Sequence, residues 1–305
     1  MTLQQLRQVL TIAESNSMNE AAKKLFVSQP NLSATVREVE EELGITVFMR
    51  NNRGITVTAE GEEFLGYAKQ VVEQYHLLEN RYLNVESKKK FSVSMQHYSF
   101  AVKAFVQLAK EVGMDEYEFA VHETKTKEVI DNVKNLKSEI GVLYLSDFNE
   151  KVLRKLFKEC DIEFKELFTC NTYVYLWKKH PLAGQKEITL DDLQEYPCLT
   201  FEQGVNNSFY YAEEMMSTYE YKRVIKADDR ATMLNLMVGL NGFTLCSGII
   251  SEDLNGDDYA AIPLKESEKM HIGYIKHKGT KLSKLGEIYI DALKTVSYTH
   301  LRAHE

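Results

Sequence analysis

The sequence predicts an α/β protein in two parts: a mainly α N-terminal winged helix-turn-helix, then a doubly wound α/β domain. Three observations carry this. The first 87 residues hold capped amphipathic helix patterns interrupted by one short β pattern. From Phe91 onward strand and helix patterns alternate, which predicts parallel strands joined by helical crossovers. A chain of 305 residues leaves room for about two domains.

Taken in order, Thr2-x-x-Gln5 is a capping box opening an amphipathic run with Leu3, Leu6, Val9, Leu10 and Ala13. A second box, Ser17-x-x-Glu20, starts a short helix through Ala21, Ala22 and Leu25, and Phe26-Val27 make a turn. Ser28 caps a third helix with Pro30 in its first turn, where a missing N–H costs nothing. Leu32, Val36, Val39 and Leu43 mark that helix's core face, and Gly44 ends it. Thr46–Arg50, a polar tip Asn51-Asn52-Arg53-Gly54 and Ile55–Val57 read as a hairpin. Thr58 caps a long helix to about Ser87, in which Phe64, Ala68, Val71, Tyr75, Leu78 and Tyr82 recur at heptad spacing. That seam predicts pairing with a second chain, because little sequence is left at this end to cover it. Lys88-Lys89-Lys90 reads as a hinge.

Strands are then expected at 91–95, 117–123, 140–145, within 164–176, and at 198–201, 223–227, 242–246, 258–263 and 271–275. Helices are expected at 100–112, 127–136, 190–193, 209–218, 231–238 and 283–293. Residues 297–305 continue neither the last helix nor any other pattern and read as a tail.

Composition excludes several classes. Apolar residues make up 44% and charged residues 27%, so the chain is not disordered. No run of 18 apolar residues predicts a membrane span, and Met1-Thr2-Leu3-Gln4-Gln5 lacks the basic start of a signal peptide. Cys160, Cys170, Cys198 and Cys246 lie far apart, against a disulfide framework or zinc site, so a reduced, cytoplasmic protein without metal or cofactor is expected. The net charge of −8 is distributed unevenly: residues 1–90 carry 11 Lys and Arg against 12 Glu. Any DNA contact must therefore come from local clusters.

The N-terminal segment resembles the LysR-type family of bacterial transcriptional regulators. The residues that carry the resemblance are Ala21-Ala22-Lys23-Lys24-Leu25-Phe26-Val27-Ser28-Gln29-Pro30-Asn31-Leu32-Ser33, Glu40–Gly44, Val47–Arg50 and Val57–Gly61. Val238-Gly239-Leu240-Asn241-Gly242-Phe243 stands where the family has a Gly-x-x-Gly turn. The resemblance implies sequence-specific binding to double-stranded promoter DNA, homodimers joining into homotetramers, and a two-lobed effector domain similar to type 2 periplasmic binding proteins. The implied division is 1–58 for the winged helix-turn-helix, 59–90 for the linker helix and hinge, and 91–296 for the effector domain. Its first lobe would comprise about 91–164 and 265–296 and its second about 165–264, with crossovers near Phe164–Leu167 and Pro263–Leu264.

On the third helix, a rotation of about 100° per residue places Pro30, Ser33, Ala34 and Arg37 opposite the core face, with Gln29 at the N-terminal end. Gln29 can read adenine, Arg37 guanine or phosphate, and Ala34 a thymine methyl. The free N–H groups after Ser28 favour a phosphate, and Arg50 and Arg53 would lie along the backbone or minor groove from the wing. Glu40-Glu41-Glu42 reads as a solvated helix end.

In a two-lobed α/β domain a ligand sits at strand C-termini near helix N-termini. This selects the loops at 96–99, 123–126, 200–208 and 228–230, with Tyr98, Ser99, Thr124, Thr126, Thr200, Phe201, Gln203 and Asn206 as effector candidates. Hydroxyls and amides there predict a small anionic metabolite. A cleft closed by its own side chains is the simpler alternative. No catalytic motif such as G-x-S-x-G, a P-loop or H-E-x-x-H occurs, so no enzyme activity is expected. Remaining alternatives are a redox-responsive regulator using Cys160 and Cys170, or a two-lobed small-molecule-binding protein or enzyme with a fused DNA-binding head.

Overall fold

The computed structural model describes residues 1–15, 17–51, 54–82, 88–113, 116–206, 208–250 and 252–301, without the side chains of 50–51, 54, 80–82, 252–253 and 297–301. Arg53 and the side chains of Arg50 and Tyr82 thus lie outside the described residues. The chain divides into two compact units, Met1–Ser87 and Lys88–Glu305.

In the first unit, α1 (Leu3–Ala13) begins with the Thr2–Gln5 capping box, and α2 (Met18–Lys24) begins at Ser17, whose side chain accepts from the Glu20 N–H. The third helix, α3 (Gln29–Leu43), ends at Gly44, whose φ of 71° is a conformation glycine adopts without strain. β1 (Phe48–Asn51) and β2 (Gly54–Val57) pair antiparallel, Phe48 opposite Val57 and Asn51 opposite Gly54. α4 (Ala59–Tyr82) follows. Val9, Ile12, Met18, Ala21, Leu32, Val36, Val39 and Val47 share one core. Leu43 does not join it: it lies in the last turn of α3 and is 38% exposed.

Two further expectations about this unit change. Glu40 is not idle at a solvated end: its Oε1 accepts from the backbone N–H of Val47 (2.7 Å) and Phe48 (3.0 Å), tying α3 to the wing. Glu41 holds Arg37, and Glu42 holds the N-terminal amine. The stripe on α4 is also split. Phe64 and Ala68 pack with Val72 against Leu3, Leu6 and Leu10 of α1, so they serve their own domain.

The second unit contains β3 (Lys89–Met95), α5 (Ser99–Val112), β4 (Tyr117–Glu123), α6 (Thr126–Lys134), β5 (Ile140–Leu145), α7 (Glu150–Glu159), β6 (Ile162–Cys170) and β7 (Tyr173–Trp177). β8 (Cys198–Phe201), β9 (Val224–Ala227), α8 (Arg230–Leu240), β10 (Thr244–Cys246), α9 (Glu252–Asn255), β11 (Tyr259–Pro263), β12 (Met270–His277) and α10 (Lys284–Leu301) complete it. One lobe is built on a sheet ordered β4-β3-β5-β12-β6; the other holds β10-β7-β11 and the pair β8-β9.

The first-lobe sheet is mixed rather than wholly parallel. β3 runs parallel to β4 and β5, but β12 pairs antiparallel with both β5 and β6. The cause is topological: the chain leaves this lobe along β6 and returns along β12, and two strands that serve as the connections between lobes run in opposite directions. The exit falls after Cys170, because β6 stays paired with β12, across a bulge at Ile272–Gly273, as far as Cys170 opposite Met270, not near 164–167. The return lies between Pro263 and Met270.

Further differences are local. Lys89 and Lys90 are not a free hinge but the first strand residues, opposite Tyr117 and Glu118. α7 was not foreseen, although Leu153 and Phe157 are spaced four apart and buried. Residues 209–218 form only a 3-10 turn, Phe209–Tyr211. There Glu213 and Glu214 turn inward and bond other segments instead of continuing a helix. α10 runs on to Leu301 rather than ending near Leu293, and Val296, one turn further along its apolar face, is still buried.

Candidate nucleic-acid interface and ligand cavity

In the first unit, Leu32, Val36 and Val39 are buried while Pro30, Ala34 and Arg37 on the other side of α3 are exposed. Ser28 is exposed and caps the helix, its Oγ accepting from the Asn31 N–H at 3.4 Å. Gln29 donates its side-chain N–H to Ser33 Oγ at 2.7 Å, so the two polar groups are presented together. Arg37 Nε meets Glu41 Oε1 at 2.7 Å, with both side chains mostly in solvent. Solvent-exposed pairs of this kind contribute little, so a phosphate or base edge can take Arg37 from Glu41 at small cost. Ser33, Ala34 and Arg37 line a shallow hollow whose far wall includes Phe48 and Ile55 of the wing. Sequence reasoning passed over Phe26 here. It sits in the turn before α3 with φ at 54° and is 96% exposed.

On α4, Val71 (51% exposed), Tyr75 and Leu78 remain open to solvent within one chain, as do Tyr67 and Leu77. Arg7 lies over the Tyr75 ring at 5.3 Å and reaches Glu79 at 3.2 Å.

In the second unit a cavity of about 80 Å³ lies between the lobes. Of the residues expected at an effector site, Tyr98, Ser99 and Phe201 line it. Thr124, Thr126, Thr200, Gln203 and Asn206 do not, and most have other work. The Thr124 hydroxyl bonds Glu128. Buried Thr126 accepts from Gln96 Nε2 (2.6 Å) and donates to the Tyr211 carbonyl (2.8 Å). Gln203 accepts from the Thr126 N–H at 3.1 Å, so an internal amide fills the N-terminus of α6 where an anion was expected. The Asn206 N–H turns back to the Gln203 carbonyl, and Thr200 lies within β8.

A second internal group fills the loop before α5. Glu213 Oε2 accepts from the His97 N–H (3.0 Å) and meets His97 Nδ1 at 2.8 Å, while Oε1 accepts from Gln203 Nε2 at 2.9 Å. Both side chains are almost fully buried. Beside them Glu214 Oε1 accepts from the Phe201 N–H at 2.9 Å. Burial, followed by the neighbouring Glu213 charge, pushes the Glu214 carboxyl up to about 8. The remaining lining is mostly apolar, with Met233, Met237, Leu245 and Ile249, plus Arg230, Thr244 and Ser247. Arg230 is spent on Glu123 at 2.7 Å. The lining therefore offers two carboxyl groups and one paired guanidinium, which differs from the anion site expected from sequence.

Cys160 and Cys170 belong to separate buried clusters. Burial raises both thiols, Cys170 to about 12. Neither has the low pKa and exposure of a redox-responsive thiolate. No described helix is long and apolar enough to cross a membrane.

Comparison with known proteins gives matches over nearly the whole chain. Residues 3–62 match the family model described as bacterial regulatory helix-turn-helix protein, lysR family, and residues 96–297 match the LysR substrate binding domain. Among curated relatives, the HTH-type transcriptional regulator CysL of Bacillus subtilis (strain 168) is 25% identical over 302 residues, covering 95% of this chain and 96% of that protein. Among solved structures, a full-length OxyR variant from Pseudomonas aeruginosa superposes with a TM-score of 0.70 at 19% identity, covering 96% of this chain and 95% of the other. Full-length CbnR complexed with its target DNA gives 0.59 at 17% identity, covering 97% and 100%. At these identities the structural likeness speaks for the fold.

Proposed function

The chain belongs to the LysR family of bacterial DNA-binding transcriptional regulators, and from this premise we propose which of its residues do the work. Ser28, Gln29, Pro30, Ser33, Ala34 and Arg37 enter the major groove, and Arg50 and Arg53 follow the backbone from the wing. The observation that carries this reading is the division of α3 into a buried face, Leu32, Val36 and Val39, and an exposed face bearing Ala34 and Arg37 beside the Gln29–Ser33 pair. A small molecule in the interlobe cavity modulates the contact by binding one arrangement of the assembly more tightly than another. The protein acts in the cytoplasm and without catalysis.

Assembly is part of the proposal. The open apolar stripe of Tyr67, Val71, Tyr75 and Leu78 pairs with the same stripe of a second copy, and dimers associate further into tetramers. Two-fold pairing then matches two half-sites separated by about one helical turn or its multiples. The test is a gel shift of the full-length protein on its own upstream region against excess unrelated DNA. Retention of a specific complex supports the reading; equal competition by unrelated DNA removes it.

A further inference from the structure

Three features of the interlobe cavity bear on the chemistry of its occupant. The first is an orphan. Thr244 lines the cavity, is 5% exposed, and its hydroxyl has no hydrogen-bond partner among the described residues. Buried hydroxyls are costly to leave unpaired, so the position is supplied for a group that is absent from the protein itself.

The second is the sign of the lining. Glu213 is held by His97 and Gln203, and Glu214, hydrogen-bonded by the Phe201 N–H and by backbone N–H groups of its own segment, lines the cavity beside it. Arg230, the guanidinium of the lining, is already set against Glu123, and the His97 ring is held by Glu213. An incoming anion would meet two carboxyl groups and no unpaired cation among the described lining residues. The third feature is the apolar wall of Met233, Met237, Leu245 and Ile249, two of whose members are unbranched and adaptable.

We propose that the cavity takes a small amphipathic cation, its apolar body against Met233, Met237, Leu245 and Ile249 and its ammonium group donating to Glu214 and to the Thr244 hydroxyl. This rests on the reading of the cavity as the effector site. It replaces the anionic metabolite that the hydroxyl-rich loops suggest, because Gln203 takes the N-terminus of α6 and Glu213 takes the His97 N–H in the loop before α5. The ammonium favours ionisation of Glu214 and pairs with the carboxylate so formed, and it supplies a donor to the Thr244 hydroxyl.

The test uses the full-length protein and three probes sharing one branched five-carbon body: isopentylamine, isovalerate and isopentanol. Calorimetry at neutral pH is expected to give the amine at least about tenfold tighter binding than the carboxylate or the alcohol, and about one proton released as Glu214 ionises beside the ammonium. Glu214→Gln should weaken the amine about tenfold and leave the alcohol unchanged. Thr244→Val should weaken the amine severalfold without lowering the melting temperature of the unliganded protein, a result that a merely structural hydroxyl would not give. Isovalerate binding as tightly as isopentylamine, amine binding indifferent to both substitutions, or no binding by any probe at millimolar concentration overturns the assignment. Each of these can occur with operator binding intact, which leaves the DNA-binding reading standing. Amine binding that leaves the gel shift unchanged upholds the ligand class and removes the regulatory role of the cavity.

Discussion

The imidazole of His97 lies flat against the ring of Phe201, centroids 3.6 Å apart and planes 6° from parallel. His97 follows β3 in one lobe and Phe201 ends β8 in the other, so the stack is a tie between lobes. Glu213 completes it by holding the His97 ring and backbone together. The lobes are thus joined by a buried polar cluster in which His97, Gln203 and Thr126 each depend on a partner.

Removal of the central carboxylate should be expensive. Glu213→Ala leaves His97 and Gln203 without their acceptor, and breaking a buried pair on one side costs about 3–5 kcal/mol. Urea unfolding of the full-length variant should show a loss of this size in the transition of the C-terminal unit. A loss below about 1 kcal/mol would mean that the cluster contributes nothing to closure.

Glu214 gives stability a pH dependence of defined sign. Its carboxyl is moved from the ordinary 4.5 up to about 8 by burial and by Glu213. Between those values the folded chain holds a proton that the unfolded chain releases. The contribution is therefore fully present below about 4.5 and lost as pH rises through about 8. Glu139, also raised by burial, acts in the same direction and is present in both proteins compared. The stability of wild type relative to Glu214→Gln should fall from pH 5 to pH 8, whereas a parallel pair of curves would contradict the shift.

Glu40 offers a test of how the wing is held. Its carboxylate takes two backbone N–H groups of the Val47–Phe48 segment, and hydrogen bonds to charged groups contribute about 1.5–3 kcal/mol. Glu40→Ala should lower the stability of the N-terminal unit by about that amount and weaken DNA binding with it. Unchanged melting of this unit would show that hairpin pairing alone fixes the wing.

Charge on the open face of α4 should abolish pairing. Val71→Asp with Leu78→Asp places two carboxylates in the proposed seam, where neither side chain is needed by its own domain. Sedimentation should find monomers that bind operator DNA weakly. A persistent dimer would place the seam elsewhere.

Local signals were legible in the sequence and tertiary ones were not. Thr2, Ser17, Ser28 and Gly44 announce helix ends because a cap is decided within three or four residues. The alternation of strands and helices likewise gave the α/β class. By contrast, Phe64 and Ala68 carry the same heptad spacing as Val71 and Leu78, and only the approach of α1 separates them. Glu213 and Glu214 were hidden inside an apparent helix, since the partners that turn them inward, His97 and Phe201, lie 116 and 13 residues away and outside any helical spacing. Thr244 gave no sequence signal at all; its interest lies in a missing partner. The tip of the wing, with Arg53, lies outside the described residues.

The most direct measurement of the assignment of α3 is a footprint of the full-length protein on its own upstream DNA at fixed salt, beside the variant Ser33→Ala with Arg37→Ala. Base contacts of this kind contribute about 1–3 kcal/mol each, so the variant should lose specific protection by roughly fivefold to over a hundredfold per contact. Its melting temperature and its weak, salt-sensitive binding to unrelated DNA should be retained. Wild type should protect two half-sites about one helical turn apart, or a multiple of it. Equal protection by wild type and variant would contradict the assignment of this helix to the groove.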